Sequence, residues 1–369
     1  MVFKKSYLFL LFILLISCKE EKLNQPIIQG ENAFKLIEDK VGATEIVVVY
    51  NKGINFIQAY PKVNKVGDAL RLSLSDNGGS LLLMDEDSVE YDVFGNATGL
   101  GDEFSLQTIL NYKVYWFAAS SFFPGIALYN APSKEIGELG LESDPDWLIP
   151  TTNIYVGSSR DGLQSIDAPS FKEKSLPSFE ASDEPDDNKL VLGLLLSNKP
   201  FAVPYSIMNW HEIVNAFQID ANTVITYCPL TGSSLVFKSD TEKQDFGVSG
   251  LLYNNNLIMY SRGADENLWQ QMTLTCVFGP KKGEQLPFIN SVELTYGEWK
   301  KLYPDTGYLS EETGQVRDYD EDPYPGYSAE DYLIYYPIDY QDGRLNAKQK
   351  VLLVQAGGEV KAYSIALLE

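Results

Sequence analysis

The chain is short of histidine, cysteine and positive charge. Its 369 residues hold one His and three Cys, and 29 Lys and Arg stand against 51 Asp and Glu. Each shortage excludes something. A net charge of −22 repels a phosphate backbone, so nucleic acid is not an expected partner, whereas solubility is served. Three cysteines without short regular spacings do not make a disulfide scaffold. A lone histidine, His211, confines imidazole chemistry to one place in the chain. Long apolar runs are also missing. The run "SYLFLLFILLIS" near the amino terminus is too short to span a bilayer.

That run reads as a targeting segment. Lys4 and Lys5 precede it, and Leu15, Ile16, Ser17 and Cys18 close it. A small residue directly before a cysteine fits the box cut by the lipoprotein signal peptidase. Cys18 is therefore the expected lipidation site, carrying diacylglycerol and an amide-linked chain such as palmitate. Two or three acyl chains give a stable membrane anchor where one does not. No Asp follows Cys18, so there is no inner-membrane retention signal. The "KEEK" that does follow resembles a surface-export signal. The expectation is a cell-envelope lipoprotein of the outer membrane, with residues 1–17 as signal peptide and 18–33 as tether.

What remains is rich in aromatics, with 23 Tyr, 18 Phe and 5 Trp. Such residues favour pleated sheets or stacking surfaces. "EIVVVYNKGINFIQAYP", "TVITYCPLTGSSLVF" and "FGVSGLLYNNNLIMYSR" each read as strand, turn, strand. "YWFAASSFFP" and "YGEWKKLYPDT" read as short helices, each ended by proline. The stretch 157–188 is rich in Ser, Asp, Pro and Glu and reads as loop.

These passages repeat one another. Tyr50 aligns with Tyr227, Gly53 with Gly232 and Phe56 with Leu235. Further on, Gly99 pairs with Gly279, Leu106 with Leu286, and Pro124 with Pro304. Near the carboxyl end, Tyr363-Ser364-Ile365 answers Tyr205-Ser206-Ile207. The expected fold is therefore mainly β with a few short helices, in two related lobes from an internal duplication. One lobe spans 34–130 and is the degenerate copy. A connecting segment follows over 131–189. The motif-bearing lobe spans 190–310, followed by an acidic and aromatic loop over 311–350. The hairpin at 351–369 is expected to complete the first lobe, which lacks the hairpin that opens the second.

Candidate chemistry centres on Cys228. It ends a strand beside Pro229, and His211 lies just upstream in "NWHEIVN". A thiolate is a useful nucleophile or ligand only when its pKa is lowered, and a neighbouring imidazolium is one way to lower it. A Cys–His pair also suits a soft metal such as copper. The competing reading is packing, because a lone Cys is commonly a small buried apolar residue. The sharper expectation puts Cys228 at a cleft rim within a few ångströms of His211. Cys228 and Cys276 either form one disulfide or are separate buried thiols. Trp210, Glu212, Asn254, Arg262, Trp269, Gln270 and Arg317 are the candidate ligand-binding residues. Asp318, Asp320 and Asp322 open like a calcium loop, but Pro323 replaces the expected glycine and Ala329 the closing glutamate. "GLGDEF" lacks the lysine of a phosphate loop, and Ser233 and Ser234 lack a nucleophile-elbow pattern.

"NWHEIVN", "TYCPLTGSSLVF", "FGVSGLLYNNNLIMY", "LWQQM", "YGEWKKLYPDT" and "RDYDEDPY" together resemble the bacterial family catalogued as domain of unknown function 3179. The resemblance runs from about Arg160 to the carboxyl end. It implies no activity, since the family has none established. Members often carry a second cysteine, as "YCPLC"; here Thr231 stands there, which argues against a two-thiol cycle. Two functions stay open. One is a small ligand or polymer bound in an aromatic cleft of the second lobe. The other is a thiol- or metal-dependent enzyme using Cys228 and His211.

Overall fold

The structure, a computed structural model, describes residues 33–174, 184–239, 245–263, 265–329 and 333–368. The targeting segment, Cys18 and the tether up to residue 32 lie outside the described residues. The chain is β-rich, with helices only seven residues long at Trp116–Phe122, Tyr205–His211 and Tyr296–Leu302. Among the described residues, no helix is long and apolar enough to cross a membrane.

Lys35–Val41, Thr44–Asn51 and Phe56–Pro61 form an antiparallel meander. Its middle strand is buried from Ile46 to Asn51, and burial on both faces explains its unbroken apolar run. The edge strand Lys35–Val41 exposes Lys35, Glu38 and Lys40, while its Asp39 accepts from Lys361 and Tyr363 of the carboxyl-terminal hairpin. The second half repeats this arrangement in Ile213–Asn215, Thr223–Cys228 and Ser233–Lys238, where Phe288–Ile289 adds a fourth strand.

A second arrangement also occurs twice. Leu110–Tyr115 pairs antiparallel with Lys350–Ala356, which turns back into Glu359–Tyr363, which runs parallel to Ala127–Leu128. Val292–Thr295 pairs antiparallel with Leu190–Leu196, which turns back into Lys199–Pro204, which runs parallel to Gly307–Leu309. The register is also the same. Lys113 faces Leu352 as Glu293 faces Leu192, and Ala127 faces Lys361 as Gly307 faces Phe201. A seven-residue helix follows the first strand of each sheet. The carboxyl-terminal hairpin thus lies in the sheet of Leu110–Tyr115.

The register corrects parts of the sequence alignment. Tyr363 faces Leu352, so it takes the place of Val203, which faces Leu192, rather than that of Tyr205. Phe56 faces Asn51 as Ser233 faces Cys228, so Phe56 matches Ser233 and not Leu235. The loops decide this. Asn55 (φ +50) holds the left-handed position that Gly232 (φ +60) holds in the other half, so Gly53 is not its counterpart. Gly99, Leu106 and Pro124 keep the same spacing to their sheet and helix as Gly279, Leu286 and Pro304.

The cores are shared between the halves. One cluster joins Ile46, Val48, Tyr50, Leu352, Val354 and Tyr363, so the hairpin caps the first meander. A larger one gathers Trp116, Phe117, Cys228, Phe237, Trp269 and Leu353 from both halves.

Candidate functional site

The helix Tyr205–His211 ends at Glu212, which adopts φ +58 and ψ −30. Positive φ is uncommon for a residue with a side chain, and such positions are found at functional sites as well as in turns. Two backbone bonds fix it. The Glu212 amide donates to Met208 O at 2.8 Å, and its carbonyl accepts from Tyr227 N at 2.8 Å. The residue is 4% exposed, and its carboxyl receives no hydrogen bond or ion pair among the described residues. Burial pushes that carboxyl up to about 8.

Glu212 lines a cavity of about 170 Å³ with Leu163, Leu230, Val248, Leu257, Tyr324, Tyr335 and Tyr336 among its walls. Gly157 and Gly250 form another side. A Cβ on Gly250 would stand 2.2 Å from Ser158 O, so close backbone contact shapes that wall. The tyrosine wall is held by the Asn254-Asn255 turn, where both residues have positive φ as a tight hairpin turn demands. Asn255 Nδ2 donates to Tyr336 O at 2.8 Å, and Tyr336 N donates to Asn255 Oδ1 at 2.9 Å. Asn254 Oδ1 accepts from Asp339 N at 2.7 Å. Tyr336 stacks on Tyr155 at 5.5 Å, and Tyr335 tilts against Tyr327 at 4.6 Å. Lys348 is buried behind this wall, its Nζ donating to Tyr327 O at 2.6 Å and lying over the Tyr327 ring. Burial pushes its ammonium down to about 8.

Cys228 is fully buried and faces this side of its strand. Its Sγ donates to Asn255 O at 3.5 Å. Burial, and then Glu212 nearby, push the thiol up to about 11, so it is not a thiolate at neutral pH. His211 does not pair with it. A carbonyl can only accept, so His211 Nδ1 donates to Gln164 O at 2.7 Å, and Nε2, 2.7 Å from Tyr319 Oη, accepts. Burial pushes this imidazole below its ordinary range, so it stays neutral. The expected Cys–His pair is thus corrected. Adjacent residues leave the chain on opposite sides, and Glu212 rather than His211 takes the cysteine's side. Cys276 is a second buried thiol, donating to Phe278 O at 3.3 Å, and no disulfide joins it to Cys228. Among the described residues, no group of three or more His, Cys, Asp and Glu side chains is placed to hold a metal ion.

The other sequence candidates scatter. Trp269 is core, its Nε1 donating to Ser261 Oγ at 3.2 Å. Trp210 donates to Glu321 O at 3.2 Å, with exposed Arg317 over its ring. Arg262 binds Asp167 at 2.7 Å and Ser165 at 2.8 Å. Gln270 accepts from Thr273 at 2.6 Å. Asn254 shapes the site from behind. Of the named set, only Glu212 lines the cavity. The tyrosines were missed, and the density of Tyr in "DPYPGYSAEDYLIYYP" was the available signal.

Several motif residues instead build a buried scaffold. Asn256 Nδ2 donates to Thr231 Oγ1 at 2.9 Å and to Gln271 Oε1 at 2.7 Å, and Gln271 Nε2 donates to Thr226 Oγ1 at 3.1 Å. A satisfied network of this kind rigidifies the strands that carry the cavity. A family model described as a protein of unknown function (DUF3179) matches residues 160–369. The chain belongs to that family. No curated protein and no solved structure matches it.

Proposed function

We propose that this member of the DUF3179 family binds a small ligand in the Glu212 cavity, without turning it over. One observation carries the reading. A carboxyl buried without a partner is costly, and the expected reason to keep it at a cavity is that something else supplies the partner. The strained backbone at Glu212 and the tyrosine wall fixed by Asn254 and Asn255 support it. The buried, protonated Cys228 and the engaged His211 weigh against the thiol- or copper-dependent alternative. A thermal-shift screen of cationic, neutral and anionic fragments tests it. At least one class should stabilise the wild-type protein and fail on Glu212→Gln. If no fragment distinguishes the two proteins, the reading is wrong.

Separately, we propose that the protein is held in the cell envelope by lipid on Cys18. The "LISC" box supports this, and Cys18→Ala should release the chain from the membrane fraction or leave it unprocessed. A Cys18→Ala chain that is still processed and still fractionates with the outer membrane would overturn the anchor.

A further inference from the structure

We propose that the ligand of the Glu212 cavity is a small organic cation of the quaternary ammonium class, held between the Glu212 carboxylate and the tyrosine rings. This rests on the cavity reading above and names its ligand. The charge inventory of the walls is the first argument. Glu212 is the acid among the lining residues, and no Lys, Arg or His lines the cavity. An anion would meet one carboxyl and no counter-charge. The second argument is the rings. Tyr324, Tyr335 and Tyr336 converge on the space, and aromatic faces with a nearby acid are how quaternary ammonium groups are recognised. The third is size. A cavity of about 170 Å³ is smaller than a drug-sized site and suits a compact ion. Tyr335, 46% exposed, stands at the mouth.

Binding then couples to a proton. The titratable groups facing Glu212 are the Cys228 thiol from its strand and the Tyr324 hydroxyl from the tyrosine segment. Both stay neutral at pH 7, because burial raises each of them. Burial alone keeps Glu212 protonated when the cavity is empty. A permanent cation beside it favours the carboxylate, so the proton leaves to solvent as the cation arrives. Affinity should rise about tenfold per pH unit below pH 8 and level off above it. A neutral hydrogen-bond acceptor would show the reverse, since it needs the proton that Glu212 loses.

Calorimetry with choline and its neutral isostere 3,3-dimethylbutan-1-ol tests this on the full chain from pH 6 to 9. Choline should bind, more tightly with rising pH, and release close to one proton at pH 7. The neutral isostere should bind at least tenfold more weakly with no pH slope. Glu212→Gln, which is isosteric with the protonated acid, should abolish the slope and weaken choline tenfold or more. Equal or better binding of the alcohol, an affinity falling with pH, or no binding of choline would each overturn the cation assignment. If Glu212→Gln still distinguishes neutral or anionic fragments in the screen, the cavity reading survives that failure. If it distinguishes none, both fall.

Discussion

Glu212 is costly to the fold in a way that pH reveals. Its carboxyl titrates near 8 in the folded chain and near the ordinary glutamate value when unfolded. Between those values the folded state holds the extra proton, so this residue's contribution falls as pH rises from about 4.5 to 8. Glu212→Gln should therefore lie within about 1 kcal/mol of wild type at pH 5 and exceed it by at most about 4 kcal/mol at pH 8. Urea titrations at the two pH values check it, and a variant destabilised at both would contradict it. The buried thiols make a second prediction. Cys228 and Cys276 should resist iodoacetamide at pH 7.4 until the protein is unfolded. At this scale the sequence exposed Glu212 through its motif, but not its partners. Tyr324, Tyr335 and Tyr336 sit in a segment without periodicity, and contacts distant in sequence hold that segment beside the cavity, among them the Asn254-Asn255 turn on Tyr336 and Asp339 and the Tyr327 hydroxyl on Leu230 O. The Cys228–His211 expectation failed because proximity along the chain carries no information on which side each side chain leaves.

At the scale of elements, alternation and turn residues made the two meanders and the hairpins legible. Register was less so, because it follows from turn geometry rather than from matching letters. Gly357-Gly358 and Ser197-Asn198 all have positive φ and fix two-residue turns, so Tyr363 falls where Val203 falls despite the shared "YSI". The first hairpin turn shows how tightly these elements dock. Gly42 (φ +56) lies against the Gly357 turn, and a Cβ there would stand 2.9 Å from Gly357 O. Backbone strain and backbone contact act together at this position. Gly42→Ala should cost about 1–3 kcal/mol, above the cost of a freely exposed glycine turn. Thermal melts against Gly78→Ala, whose Cβ meets nothing within 4 Å, isolate the docking part of that cost.

The whole molecule is organised about a buried ion cluster where the repeated sheets meet. Lys113 and Glu293 occupy the same register position in their two sheets, and they face each other at 3.4 Å. Lys350, from the carboxyl-terminal hairpin, holds the other carboxylate oxygen at 2.6 Å, and Tyr205 donates to it at 3.0 Å. The two sheets share one topology, and the hairpin of the first comes from the chain's far end. The cluster then links three segments that are remote in sequence, and it ties both halves to one unfolding event. Burial alone would push Glu293 up, but the ammonium groups of Lys350 and Lys113 bring it down to about 2. Its stabilising contribution is therefore full above about pH 4.5 and is lost as pH falls toward 2. Glu293→Ala leaves the buried Lys113 ammonium and the partly buried Lys350 ammonium without their counter-charge, and breaking a buried pair in this way costs about 3–5 kcal/mol. The expected result is a large loss of stability at pH 7 that shrinks on acidification, because wild type forfeits the same interaction there. Calorimetry should show one transition for wild type, since the largest core draws on both halves. Two separated transitions, or a Glu293→Ala penalty that is unchanged near pH 2, would show that the halves fold independently of this cluster.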